Sequence, residues 1–284
     1  MTVSVFAPAK INLTLHVTGQ RDDGHHLLDS LVVFAPVGDQ LQIEGHDINS
    51  LTVVGPEGAN VPADANNLAL RAAEMVAPDR PVSIRLEKYL PVSSGIGGGS
   101  SDAAAVVRGM MADWDDRTSL MALGADVPMC LRPHPQRVRG IGEISEPVHL
   151  PPLPAVLVNP RVSVSTPAVF RALDAKKNTA MPEQIPKFGG VVDLCVWLSD
   201  QRNDLEEPAI QLCPEIGQVL KVLGGLDGAL LARMSGSGAT CFAIFETEEL
   251  ATAARQEIAK IYPNWWLASG VLGDMVERSK PIPS

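Results

Sequence analysis

Leu90-Pro91-Val92-Ser93-Ser94-Gly95-Ile96-Gly97-Gly98-Gly99-Ser100-Ser101-Asp102 joins a strand-like run to an Ala-rich, helix-like run, and the rest of the chain reads as its support. Upstream, Val82, Ile84 and Leu86 alternate with Ser83, Arg85 and Glu87, the period-two pattern of a half-buried strand. Downstream, Ala103-Ala104-Ala105-Val106-Val107 opens a helix, with Ser100, Ser101 or Asp102 to hand as N-cap. Glycines between a strand and a helix start leave several N–H groups free to converge at the positive end of the helix dipole. The stretch therefore reads as an anion site, most naturally for phosphate. A tight structural turn is the plainer alternative, which the flanking strand and cap residues disfavour. No Lys follows the last Gly, so the loop is not of the Gly-x-x-x-x-Gly-Lys type. A dinucleotide fold wants an acidic residue at the end of a second strand about 20 residues on. Asp113, Asp115 and Asp116 lie near that distance, but in a polar stretch around Trp114 that lacks a strand pattern. A third kind of nucleotide loop is left.

Composition bounds the rest. With 284 residues and 45% hydrophobic content, the chain can bury two ordinary cores, and two domains are expected. A formal net charge of -10, with 23 Lys and Arg that do not cluster, argues against a nucleic-acid partner. Cys130, Cys195, Cys213 and Cys241 form no Cys-x-x-Cys pair, so neither zinc nor a disulfide framework is expected and a reducing compartment fits. No apolar run approaches the roughly 20 residues that span a bilayer, and no basic segment leads into an apolar block at the start. The expectation is a cytoplasmic protein, monomer or homodimer, with no membrane partner.

Near the start, Val3 and Val5 alternate with polar neighbours, and a second alternation follows Ala7-Pro8. Ile11, Leu13, Leu15 and Val17 point one way, which puts Lys10, Asn12, Thr14 and His16 on the opposite face. Such a face is ordinarily solvated, though a Lys and an Asn just after Pro8 would also suit a cleft wall. Arg21-Asp22-Asp23-Gly24-His25-His26 is a polar loop whose adjacent histidines lack further metal ligands at useful spacing. Two strands, 31–34 and 41–44, are expected across a Pro36-Val37-Gly38-Asp39 turn. Asn66-Asn67 caps a helix over 68–76 that buries Leu70, Ala73 and Val76. Pro128 pushes Val127 out of the α region, which puts Asp126 at a helix-to-strand corner before Met129-Cys130-Leu131. There Asp126 is a turn former or a catalytic acid, and spacing leaves both open.

The Pro-dense stretch 147–154 marks a domain boundary, giving domains 1–153 and 154–284. Beyond it come a buried strand over 155–158, a helix start at Ser165-Thr166-Pro167, a mobile connection over 174–190 and helices from about Pro208 and Pro214. Strands 229–233 and 240–245 flank a small-residue turn, Met234-Ser235-Gly236-Ser237-Gly238-Ala239. A helix over 248–261 and a strand near 265–271 follow. Together these elements make an α+β fold.

With these pieces placed, the chain resembles the galactokinase, homoserine kinase, mevalonate kinase and phosphomevalonate kinase (GHMP) superfamily. Pro8-Ala9-Lys10-Ile11-Asn12-Leu13, the loop from Pro91 to Ala104 and the turn from Met234 to Ala239 are similar to its three motifs. Adding the Arg21 to His26 loop and Gly124-Ala125-Asp126-Val127-Pro128 narrows the resemblance to the branch that acts on a cytidine-diphosphate-linked alcohol. The resemblance implies a two-domain α+β kinase, with 1–153 as the nucleotide-binding, catalytic domain and 154–284 as the substrate-binding domain, its active site in the inter-domain cleft and an unusual left-handed βαβ crossover. It implies ATP and Mg2+, with Pro91, Val92, Ser93, Ser94, Gly95, Ile96, Gly97, Gly98, Gly99, Ser100 and Ser101 around the ATP phosphates. Ser100 and Ser101 are the implied Mg2+ contacts. Asp126 would take the proton of a tertiary hydroxyl while Lys10 orients that hydroxyl and lowers its pKa. Asn12, His25, His26 and Thr166 would meet the cytidine diphosphate, Phe170 would stack on the cytosine, and Gly236, Ser237 and Gly238 would close over the substrate phosphates. His25 stands where many members have a stacking Tyr. The stretch 109–123 is a turn or two shorter than usual, and adenine contacts are sought in 60–68. Two other readings compete. A kinase of another small alcohol is disfavoured by the histidine loop, and a non-catalytic nucleotide-binding module by the presence of both Lys10 and Asp126.

Overall fold

The computed structural model describes residues 2–111, 114 and 116–283; Asp113 and Asp115 of the polar stretch lie outside them. The first part of the chain runs β1 (Thr2–Asn12), β2 (His16–Gln20), β3 (His26–Gly45), β4 (Ser50–Val54), α1 (Leu68–Val76), β5 (Val82–Glu87), α2 (Gly98–Met110), α3 (Arg117–Leu120), α4 (Val127–Leu131), β6 (Gln136–Gly140) and β7 (Ile144–Pro147). Its strands form one sheet with spine β1-β3-β5-β4, to which β2, β6 and β7 add on the β3 side. The pair β4 and β5 is parallel and is joined through α1, so this is the βαβ unit. The second part runs β8 (Leu153–Asn159), α5 (Thr166–Arg171), α6 (Val191–Ser199), α7 (Glu206–Leu212), α8 (Pro214–Gly224), β9 (Ala229–Met234), β10 (Cys241–Phe245), α9 (Glu248–Ile261) and β11 (Trp266–Leu272). It makes an antiparallel sheet in the order β11-β8-β10-β9.

Local chemistry accounts for the helix ends. Asn67 accepts from the Ala69 N–H at 2.9 Å at the head of α1. Thr247 accepts from the Leu250 N–H at α9, where Glu248 and Glu249 meet the positive end of the dipole and Lys260 the negative one. The buried stripe of α1 is Ala69, Ala72, Ala73 and Val76, with Leu70 only half-buried, so it is rotated from the expected one.

Several expectations change. Residues 31–34 and 41–44 belong to a single strand of 20 residues, β3. The register against β1 steps from Pro8 opposite Gly38 to Lys10 opposite Phe34, so two extra residues around Pro36 are taken up as a bulge instead of a reversal. A Cβ on Gly38 would lie 2.1 Å from the Ala7 carbonyl oxygen, which makes glycine obligatory at this crossing. Lys10, Asn12, Thr14 and His16 are all buried, not solvated: Asp126 lies against Lys10, Ser30 against Asn12, Met181 against Thr14, and Thr179 and Arg202 against His16. Val127 to Leu131 is helical: Pro128 falls in the first turn of α4, where a missing N–H costs nothing. The connection 174–190 is irregular, yet it is pinned: Arg137 donates to the Pro182 and Glu183 carbonyls, and Asp29 accepts from the Met181 N–H.

The two sheets share a core in which Ile11, Leu13, Leu31 and Val33 meet Leu157, Phe242, Ile244 and Leu198. After β11 the chain returns to the first sheet, where Gly273 pairs with Phe34 and β12 (Ile282–Pro283) pairs with β1. The boundary at 153/154 did not foresee this return.

Candidate active site

The glycine loop opens α2, and it does so earlier than the cap residues suggest. Gly97, with φ +66, is the N-cap, and Ser100, Ser101 and Asp102 lie inside the helix. The loop is stitched to both parts of the protein. Lys10 N–H donates to the Ile96 carbonyl at 2.9 Å, and Thr240 N–H donates to the Ser94 carbonyl at 3.1 Å. Ser235 donates to the Gly95 carbonyl at 3.2 Å and accepts from the Asn12 N–H at 3.1 Å. A Cβ on Gly95 would stand 2.4 Å from the Ser235 carbonyl oxygen, and one on Gly236 would stand 2.6 Å from the Gly95 carbonyl oxygen. The two glycine turns therefore touch backbone to backbone.

At this junction Lys10 Nζ lies 3.0 Å from Asp126 Oδ2 and donates to Asn12 Oδ1 at 2.8 Å. Asn12 Nδ2 in turn donates to Ser30 Oγ at 2.8 Å, and Ser30 to the Thr14 carbonyl, so the lysine is held by a chain of bonds along β1 and β3. The lysine side chain is 6% exposed and the aspartate 38%, which leaves one carboxylate open to the cleft beside an enclosed cation. Asp126 stands at the N-cap position of α4 but makes no cap bond, so its carboxylate is free for other work. The cleft has a volume of about 1000 Å³. Pro91 through Gly95 and Gly97 through Ser100 line one side, and Thr166, Phe170, Gly236 and Ser237 another. Val61, Pro62, Asn66, Asn67 and Leu68 line it as well, within the stretch where adenine contacts were sought. Thr166 Oγ1 and Ser237 Oγ lie 2.7 Å apart, and Asn203 Nδ2 donates to the Met234 and Gly236 carbonyls, which fixes the third turn.

Models of known families match this chain in two places: "GHMP kinases N terminal domain" over residues 67–132 and "GHMP kinases C terminal" over 193–264. A 4-diphosphocytidyl-2-C-methyl-D-erythritol kinase of Ruegeria pomeroyi is 51% identical, covering 95% of this chain and 99% of its own. The enzyme of that name from Dinoroseobacter shibae is 54% identical, covering 95% of each chain. The chain belongs to the 4-diphosphocytidyl-2-C-methyl-D-erythritol kinase family. A crystal structure of 4-(cytidine 5'-diphospho)-2C-methyl-D-erythritol kinase superposes with TM-score 0.77 at 33% identity, covering 95% of this chain and 99% of that one. Another neighbour, L. major mevalonate kinase in complex with R-mevalonate, reaches TM-score 0.68 at 15% identity over 95% of each chain and shares the fold alone. The chain is thus a kinase with the two-part α+β GHMP fold, and no helix among its described residues is long and apolar enough to cross a membrane.

Within this kinase, several residues chosen from the sequence sit elsewhere. Ser101 is fully buried and donates to the Pro8 carbonyl at 2.8 Å, outside the cleft lining, so it is removed as a metal or phosphate contact. Ile96 is a core residue that offers the loop only its carbonyl. The Gly238 Cα faces inward, where a Cβ would meet Met234 Sδ at 2.7 Å, and it does not line the cleft. His25 turns its exposed ring to Asp23 at 3.1 Å and takes no part in the cleft wall. His26 and Phe170 stack on each other, with centroids 4.6 Å apart and planes at 23°, so Phe170 presents its ring to histidine where cytosine was expected. Burial, with the nearby Lys176 and His25 charges, lowers the His26 pKa, and its Nε2 is buried without a partner.

Sequence reasoning missed the support beneath the loop. Lys88 bridges Asp39 and Asp102 in a buried triad, and Asp39 also accepts from the Tyr89 and Leu90 N–H groups just ahead of Pro91. Burial, offset in part by Lys88, pushes the Asp102 carboxyl up to about 8. An acid two residues after Ser100 and a lysine just before the loop were visible signals, but nothing local joins them to Asp39.

Proposed function

We propose that this kinase transfers the γ-phosphoryl group of ATP to the tertiary 2-hydroxyl of 4-diphosphocytidyl-2-C-methyl-D-erythritol, in the cytoplasmic non-mevalonate route to isoprenoid precursors. The observation that carries the reading is the 3.0 Å Lys10–Asp126 pair at the meeting point of the two glycine turns. Asp126 accepts the hydroxyl proton, the freed oxygen attacks the γ-phosphorus, and ADP leaves with the bridging oxygen. Lys10 orients that oxygen and offsets its charge, and the rest of catalysis is positioning. Residues 1–153 would bind nucleotide and carry the catalytic pair; residues 154–284 would present Thr166, Phe170, Gly236 and Ser237 to the substrate.

Magnesium fits this donor set as a cation held by the triphosphate. No cluster of three His, Cys, Asp or Glu suited to a metal occurs among the described residues, and Ser100 is the one hydroxyl of its pair in the cleft lining. Mg2+ characteristically binds substrate phosphates and keeps several waters. Bound so, it would neutralise charge on the β- and γ-phosphate oxygens, with Ser100 as its protein contact.

A coupled assay for ADP release, run over homoserine, mevalonate and several cytidine-diphosphate alcohols, tests the reading. Turnover is expected with 4-diphosphocytidyl-2-C-methyl-D-erythritol. Preference for homoserine or mevalonate, or no turnover at all, would return the chain to one of the competing readings.

The cytidine end has its own test. His26→Ala is expected to raise the KM for the cytidine substrate far more than the KM for ATP, because a base left without its hydrogen-bond partner is strongly disfavoured. The same substitution also leaves Phe170 without its stacked ring. Equal effects on both KM values would remove His26 from the cytidine site.

A further inference from the structure

Arg108 lies in the last turn of α2, and no carboxylate pairs with it among the described residues. Burial lowers its pKa only to about 10, so it remains a cation at neutral pH. Its donors go to main-chain carbonyls in three separate segments. Nε donates to Ser279 at 3.2 Å, Nη1 to Cys130 at 2.7 Å and Leu131 at 3.5 Å, and Nη2 to Phe6 at 2.9 Å.

The positions of those carbonyls matter. Phe6 is in β1, four residues before Lys10, and Cys130 is in α4, four residues after Asp126. These separations correspond to about 13 Å along the strand and about 6 Å along the helix. Arg108 thus ties the strand that bears the lysine to the helix that bears the aspartate, at a second point away from their own contact. The helix needs such a tie, because α4 has five residues, well below the length at which a helix holds itself. Asp126 adds no cap bond to it, and Gln136 shares the work at the other end by donating to the Met129 carbonyl at 3.0 Å. A cation among the last carbonyls of α4 also meets the negative end of its dipole. At its own N-terminus α2 carries the glycine loop, so one helix sets the phosphate loop, the lysine strand and the aspartate helix in register.

We propose that Arg108 is a positioning residue for phosphoryl transfer, clamping α4 to β1 so that Asp126 stays in place against Lys10. The proposal rests on the reading of Asp126 as the base. A lysine at this position is a point donor on a flexible stem and cannot hold the four carbonyls that the guanidinium fork spans.

The test is Arg108→Lys, made in the parent and in Asp126→Asn, with kcat and both KM values measured for each and folding followed by circular dichroism. A small misplacement of a catalytic group can cost on the order of 10- to 100-fold. Arg108→Lys is therefore expected to lose that much in kcat with little change in either KM, and to cost nothing further once Asp126 is Asn. Arg108→Gln, which keeps a planar donor, is the second variant if the lysine form does not fold. An unchanged kcat with a lower Tm would make Arg108 scaffold only. The same fold-loss in both backgrounds would mean that it acts elsewhere than through Asp126, and failure of both variants to fold would also overturn the proposal. A near-normal kcat for Asp126→Asn alone would instead remove the base, a separate outcome.

Discussion

Gly97→Val is expected to drop turnover by at least roughly 10³-fold, a loss of about 4 kcal/mol in transition-state stabilisation, while the protein still folds. Gly97 sits at φ +66 and ψ 23, the left-handed region, as the N-cap of α2. A β-branched residue is disfavoured there by roughly 1–3 kcal/mol. A domain stable by about 5–15 kcal/mol tolerates that cost. The active site does not. A Cβ at Gly97 would lie 3.1 Å from Lys10 Cε, 3.3 Å from Lys10 Cβ and 3.9 Å from Asp126 Oδ2, and valine adds two methyl groups beyond it. Either the lysine moves away from Asp126, or the chain relaxes to negative φ and the first turn of α2 opens. The first removes the catalytic pair, and the second scatters the N–H groups that would hold phosphate. The damage to Lys10 could not be read from the sequence, where a side chain in the loop threatens only phosphate approach. Urea unfolding alongside the ADP-release assay checks both halves of the expectation. A folded variant with normal turnover would reduce the loop to a structural connection.

How far the sequence carries can be followed residue by residue. Strong local chemistry was legible: Asn67 and Thr247 mark their helices, and α9 spans 248–261 as its pattern requires. Pro and Gly misled wherever long-range packing overrode them. Pro36 and Gly38 mark a bulge inside β3, Pro8 lies within an unbroken β1, and Pro128 begins a helix that it was expected to prevent. The run Val191–Ser199, rich in β-branched residues, went unnoticed as α6 because its helical state comes from packing Leu194, Cys195 and Leu198 into the shared core. At the site, Lys10 and Asp126 lie 116 positions apart, yet matching each to a motif was enough to suggest the pair that the structure brings to 3.0 Å. Arg108, Asn203, and the link of Lys88 to Asp39 carry no motif. Each acts through main-chain carbonyls or a buried carboxylate whose location depends on the finished fold. The serines show the reverse. Ser100 and Ser101 are equivalent by motif, and only the helical phase of α2 sends Ser101 to the Pro8 carbonyl and leaves Ser100 in the cleft.

Asp126→Asn keeps the shape and polarity of the side chain and removes its capacity to accept a proton. A positioned general base contributes roughly 10²- to 10⁴-fold, so kcat should fall by that factor while both substrates still bind. Asparagine can turn its carbonyl oxygen toward Lys10 Nζ, so the loss would reflect chemistry more than disruption. Lys10→Met should also lower kcat. The lysine is enclosed and held by Asn12 as well as Asp126, while Asp126 is 38% exposed at its side chain. Water can therefore solvate the aspartate that Lys10→Met leaves behind, and the variant should fold. Because the two residues serve a single proton transfer, once one is gone the other has little left to contribute. The double variant should then be clearly less impaired than the product of the two single losses. The measurement is kcat at saturating substrates for both single variants and the double. Full additivity would separate the two residues into independent roles, and an Asp126→Asn enzyme with near-normal kcat would leave Asp126 as a residue that merely precedes α4.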